Sequence, residues 1–235
     1  NFYAIIDEQK FFCYSIGKYK KVRNDRMHTQ EIIARLEAHY PHAKPGLDYQ
    51  NAYQLLIATI LSAQCTDVRV NQVTKTLFLR YPDAYALADA DFETLCMEIH
   101  SCGCYSIKAK NLIGTAKMLC QQYDGKVPPD MEELVKLPGV GRKTANVVLS
   151  NAFDIPGLAV DTHVFRVSHR LGLADAKDPN GTEQQLCALI PREKWGRAHH
   201  WLIYHGRQVC SARAPKCEGC FLADLCPFLQ EQKEK

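Results

Sequence analysis

From Met27 onward, proline and glycine cut the chain into short lengths, and within each length the apolar residues recur at helical spacing. Breaks fall at Pro41, Pro45-Gly46, Pro82-Asp83, Gly103, Pro128-Pro129, Pro138-Gly139, Pro156-Gly157, Pro179-Asn180-Gly181 and Pro191. The intervals predict helices over about 29–39, 51–63, 67–80, 91–99, 106–122, 130–136, 143–152, 162–171, 182–190 and 195–208. Strand-like alternation bounded by tight hairpin turns is missing, and there is no repeat of fixed period. The pattern dictates an all-α fold with short connections. Hydrophobic residues make up 46% of the 235, enough to bury a core. No apolar run approaches the ~20 residues that span a bilayer, so a membrane is not an expected partner.

The net charge of +3 is too small to argue for nucleic acid by itself. Residues 1–26 hold six Lys/Arg and three Asp/Glu, which leaves 23 of each sign in the remainder. A surface for DNA must therefore come from local arrangement of charge. The first 26 residues also differ in character from the rest of the chain, running Phe11-Phe12-Cys13-Tyr14 into Lys18-Tyr19-Lys20-Lys21. They are expected to be a non-native or upstream extension, with Met27 as the native start. A basic tail that assists nucleic-acid binding is the alternative. The 11 cysteines, an odd number with no secretory pattern, point to a reducing intracellular compartment.

Four runs carry chemistry. In Leu137-Pro138-Gly139-Val140-Gly141-Arg142-Lys143-Thr144-Ala145, proline and glycine end one helix and start the next. Lys143 then falls in a first turn, where the helix dipole disfavours a cation. A neutral lysine amine is a nucleophile suited to Schiff-base formation. The N–H groups of Gly139 and Gly141, with the following helix N-terminus, can grip a phosphate without reading sequence. A second run holds Asp161, in Val160-Asp161-Thr162-His163. It is a helix cap by position, and capping needs one oxygen only. The other oxygen can activate an amine or stabilise positive charge on a sugar. Third, Cys210, Cys217, Cys220 and Cys226 are separated by six, two and five residues, a metal centre by spacing. Zinc and an iron–sulfur cluster both fit four thiolates. Arg213 and Lys216 sit on the loop such a centre would pin, placed for phosphate. The fourth run, Leu61-Ser62-Ala63-Gln64-Cys65-Thr66-Asp67, ends a buried helix in a polar turn that exposes Gln64.

Taken together and in this order, the four runs resemble the endonuclease III family of DNA glycosylases over essentially residues 27–235. The resemblance implies two helical domains with a DNA cleft between them. Residues 45–155 would form a six-helix barrel, with a helix–hairpin–helix at about 130–152. Residues 27–44 and 156–235 would form a domain carrying a [4Fe–4S] cluster on Cys210, Cys217, Cys220 and Cys226. It further implies that Lys143 is the nucleophile and Asp161 its essential carboxylate. Gln64 would fill the gap left by a flipped nucleotide, and Gly139, Gly141, Arg142, Thr144, Arg213 and Lys216 would contact DNA. The implied substrate is an oxidised pyrimidine in damaged double-stranded DNA. A cytoplasmic, nucleoid-associated monomer without a small-molecule cosubstrate is expected, since an asymmetric lesion needs no symmetric reader. Cys104 departs from the pattern: it stands where a bulkier apolar wedge would press on the opposite strand. The rivals are an adenine-mismatch glycosylase without lyase activity, which lacks the lysine, and a non-catalytic DNA-binding iron–sulfur protein.

Overall fold

One helix, α2 (Ala52–Leu61), is apolar on every side, and the fold is arranged to cover it. Its residues Tyr53 and Leu55 through Leu61 are buried, and the two hydroxyls there, of Tyr53 and Thr59, donate to the carbonyls of Tyr81 at 3.1 Å and Leu55 at 2.6 Å. The computed structural model describes residues 16–233; Phe11 and Phe12 lie outside them. Among the described residues the regular structure is entirely helical.

The chain enters on α1 (Ile16–His39), which runs without a break through Met27. After α2 come α3 (Asp67–Arg80), α4 (Ala84–Ala88), α5 (Phe92–Ile99), α6 (Tyr105–Gln122), α7 (Met131–Leu134) and α8 (Arg142–Ala152). The last four are α9 (Thr162–Arg170), α10 (Pro179–Leu189), α11 (Trp195–Gln208) and α12 (Pro227–Lys233). Side-chain caps set many of the starts: Asn51, Thr66, Asp83, Asp91, Asp130, Asp161 and Asp178 each accept from the first turn of the helix they precede.

Three expectations need correction. Pro179-Asn180-Gly181 does not break a helix but opens α10. Pro179 fills a first-turn position where its missing N–H costs nothing, and Asp178 accepts from the next two amides. The helix predicted over 130–136 shortens to the single turn of α7, because Val135 to Leu137 already bend into the glycine turn. The short helices α4 and α12 were hidden by their length, since five or seven residues are too few for an apolar pattern to recur.

Two apolar cores result. The first gathers side chains of α2 to α8. The second gathers Ile32, Ile33 and Leu36 of α1 and Tyr40 just beyond it with α9, α10, α11 and Leu222 around the fully buried Trp201. The chain thus starts in the second core, builds the first, and returns. The return is abrupt: Leu158 packs in the second core and its neighbour Ala159 in the first.

Helix α11 lies along this seam. His200 donates through Nε2 to Asn151 Oδ1 of α8 at 3.1 Å, and His199 Nδ1 donates to the Ala159 carbonyl at 2.7 Å. Burial pushes both imidazoles down, His199 to about 4 and His200 to about 3 from an ordinary 6.5. Both are neutral in the folded chain while the unfolded chain protonates them below pH 6.5. Their contribution is therefore complete above pH 6.5 and is lost as the pH falls toward 4 and below. Each adds up to about 1.4 kcal/mol per pH unit to the slope of stability in that window. Thermal unfolding between pH 7 and 4 should show a shallower pH dependence for His200→Gln than for the wild type. Equal slopes would count against the neutral, buried assignment.

Candidate active site

The cleft between the two cores, about 920 Å³, is walled by the α2–α3 turn (Ser62 to Asp67), the first turns of α8 and α9, the entry to α10 and the end of α11. Lys143, Asp161 and Gln64 all line it. The structure therefore brings together three residues that lie 79 and 18 positions apart along the chain.

Lys143 is the second residue of α8 and is exposed. Its helix start has no side-chain cap and no acidic residue in the first turn. Lys143 itself has no ion-pair partner among the described residues. The half-buried Thr144 follows it in the same turn. The neighbouring Arg142 is different. It forms a two-pronged pair with Glu183 of α10, Nε to Oε2 at 2.9 Å and Nη2 to Oε1 at 2.7 Å, and Glu183 is only 10% exposed. Arg142 thus links α8 to α10, and part of its charge is already spent there.

Asp161 caps α9. The amides of His163 and Val164 both donate to Oδ1, each at 2.8 Å. Oδ2 takes no hydrogen bond from the described residues, so one oxygen holds the helix and the other is free to act in the cleft. Gln64, exposed in the α2–α3 turn, has left-handed backbone at φ +53°.

The two glycines of the hairpin differ in what they do. Gly139 has φ +76°, and a Cβ there would come within 2.8 Å of Asn111 Nδ2. The Thr115 hydroxyl donates to the Pro138 carbonyl at 2.7 Å and pins the turn to α6. Gly141 has ordinary extended backbone (φ −95°, ψ 175°), and a Cβ there would meet nothing within 4 Å. Glycine at 141 is thus not required by the backbone; it keeps the approach to the α8 amides clear.

Sequence reasoning passed over the cleft residues Lys177, Phe165 and Arg207. Arg207 Nη1 donates to Asp67 Oδ2 at 3.0 Å and joins α11 to α3 beside Gln64. No local pattern marked them, because Phe165 and Arg207 reach the cleft only through the packing of their helices and Lys177 through the bend before α10.

Cys210, Cys217, Cys220 and Cys226 line one cavity with His205, Leu171 and Phe228. No three His, Cys, Asp or Glu side chains among the described residues gather closely enough to hold a single ion. The four thiols instead ring a space, as a donor set for a cluster of several irons should. The loop that carries the first two is held from α9. Arg166 donates to the Cys210 carbonyl at 3.1 and 3.0 Å, and Arg170 to the carbonyls of Ser211 at 2.7 Å and Ala212 at 3.0 Å. Arg213 and Lys216 project from this loop, exposed and outside the cleft.

Residues 57–192 match the HhH-GPD superfamily base excision DNA repair proteins, and residues 210–226 match the iron-sulfur binding domain of endonuclease III. The endonuclease III of Synechocystis sp. is 52% identical over 212 residues, 90% of this chain and 97% of that one. The chain belongs to the endonuclease III family of base excision repair glycosylases. A non-covalent endonuclease III–DNA complex superposes with a TM-score of 0.85 at 43% identity, covering 89% of this chain and 99% of that one. A trapped endonuclease III–DNA covalent intermediate with an estranged adenine does so with the same TM-score and identity, over 88% and 98%. As an endonuclease III family member, the chain carries a [4Fe–4S] cluster.

The unequal roles of the hairpin glycines give a direct test within this family scaffold. Gly139→Ala should lower unfolding stability by about 1–3 kcal/mol, from left-handed strain and the clash with Asn111. Gly141→Ala should stay within about 0.5 kcal/mol of the wild type. Denaturant titration of both variants decides it, and comparable losses would contradict the geometry.

Proposed function

We propose that this chain is a bifunctional DNA glycosylase and abasic-site lyase, which removes oxidised pyrimidines from duplex DNA through a lysine Schiff base. The observation that carries this reading is the meeting of Lys143 and the free oxygen of Asp161 in one cleft. A base still stacked in the duplex cannot reach that cleft, so the damaged nucleotide is flipped out, at least cost where damage has weakened its stacking. The Lys143 amine attacks the sugar C1′, the glycosidic bond breaks, and the base departs. A Schiff base to the opened sugar remains, and loss of a C2′ proton expels the 3′ phosphate and cuts the strand. Asp161 Oδ2 stabilises the positive charge that grows on the sugar as the base leaves. Gln64 fills the gap, and Cys104, smaller than the expected apolar wedge, presses less on the opposite strand. The α8 amides near Gly141, Thr144 beside them, and the exposed Arg213 and Lys216 hold phosphates. The trapped covalent endonuclease III–DNA intermediate that matches this chain supports a covalent route.

Cys210, Cys217, Cys220 and Cys226 are the residues that would hold the cluster. When bound, it supplies iron–thiolate bonds that fix the loop of Arg213 and Lys216. The protein acts as a monomer, without a cosubstrate, in the cytoplasmic compartment that holds the DNA.

The test is borohydride trapping on a duplex with one thymine glycol. Wild type should give a covalent protein–DNA band and Lys143→Ala none. Asp161→Asn keeps Oδ1 as a cap acceptor but removes the charge. It should leave stability within about 1 kcal/mol and slow trapping at least about 100-fold. No band from folded, cluster-loaded wild type on oxidised pyrimidines or on a bare abasic site would overturn the lyase reading. A slow Asp161→Asn that is also strongly unstable would reduce Asp161 to a cap.

A further inference from the structure

Lys108 of α6 is 5% exposed, and no carboxylate meets it. A buried ammonium is costly unless hydrogen-bonded. Its Nζ donates instead to two main-chain carbonyls, Leu61 at 2.9 Å and Cys102 at 2.6 Å. Leu61 is the last residue of α2, where unpaired carbonyls and the negative end of the helix dipole favour a cation. Cys102 ends the 3₁₀ turn His100–Cys102. The ammonium therefore ties together two turns that lie far apart in sequence.

Each turn ends in an exposed tip with strained backbone. Gln64 lies three residues past Leu61 and has φ +53°, and Cys104 lies two past Cys102 and has φ +46°. Left-handed backbone at a residue other than glycine persists only where its surroundings enforce it. Apolar packing alone would let such turns slide, whereas one ammonium between two carbonyls fixes distance and direction at both.

We propose that Lys108 is a positioning residue for lesion recognition, its buried ammonium setting the spacing of Gln64 and Cys104 so that both enter the duplex together. The inference rests on the reading of those two tips as the groups that occupy the helix around a flipped nucleotide. Lys108 touches no substrate. Its effect should therefore appear only where a gap in a duplex must be filled.

Lys108→Met, unbranched, uncharged and one atom shorter, tests this by single-turnover trapping on two substrates. One is a duplex with thymine glycol; the other is a single-stranded abasic site, which has no gap to fill. Thermal midpoint and visible cluster absorbance check folding. The ratio of the duplex rate to the single-strand rate should fall at least about tenfold, since misplacement by about 1 Å costs up to 100-fold. If Lys108→Met does not fold, Lys108→Arg is measured instead, and its planar fork should lower the same ratio. An equal fall in both rates, or no fall in a folded variant, overturns the assignment. Gln64→Ala, run alongside, separates the role of Lys108 from the role of the tips. A duplex loss for Gln64→Ala with none for the Lys108 variant removes only the role of Lys108. No loss for Gln64→Ala removes the reading of the tips, and this inference with it.

Discussion

Both bonds that cap α9 fall on one oxygen of Asp161, and the site depends on that asymmetry. Were the cap shared between the two oxygens, neither would be left without a hydrogen bond to the helix. Because Oδ1 takes both amides, the helix fixes the position and rotamer of the carboxylate while Oδ2 stays unbound. The same helix continues to Arg166 and Arg170, which grip the loop that starts at Cys210. One nine-residue element therefore sets the carboxylate at one end and the cysteine loop at the other. A phosphate held on that loop and a sugar held in the cleft would keep a fixed separation, as a single duplex lying across both requires.

The cleft exists because the chain returns to the core it started from. Residues of α1 commit to the second core, α2 to α8 build the first, and the step from Leu158 to Ala159 divides them. Polar ties then hold the two bodies at a set distance. Arg142–Glu183 joins α8 to α10, Arg207–Asp67 joins α11 to α3, and His200–Asn151 joins α11 to α8. Directional bonds suit this place better than apolar contact, since an interface that must also admit DNA cannot be sealed with hydrophobic side chains.

Much of this was legible in the sequence, and the reasons are local. Breaker residues and apolar spacing marked α2, α3, α5, α6, α8, α9 and α11, because each is long enough to show a period. The Pro-Gly-x-Gly run placed Lys143 in a first turn, and capping chemistry placed Asp161, since both signals lie within about five residues of the group they position. What stayed hidden was pairwise and long-range. Nothing near Arg142 announces Glu183, 41 residues away, so its guanidinium looked free for phosphate. Gly139 and Gly141 look alike in sequence, yet only one has left-handed backbone. Nothing in the sequence marks Lys108 as buried, because a carbonyl partner leaves no trace in side-chain pattern.

Charge is arranged as locally as the hydrogen bonds are. The chain from Met27 onward carries as many acidic as basic residues, yet a duplex presents a dense line of phosphates. The structure meets this by placement. Acidic side chains are spent internally: Asp161 on α9, Glu183 on Arg142, Asp67 on Arg207, Glu37 on Lys194 and Arg197. Lys143, Arg213 and Lys216 have no such partner among the described residues, and the uncapped amides at the start of α8 add the positive end of a helix to theirs. A neutral whole thus keeps unpaired positive charge at Lys143 and on the loop between Cys210 and Cys217. That local excess falls away within about 8–10 Å at physiological salt, so it acts on a duplex already in contact and contributes little to drawing one in from a distance.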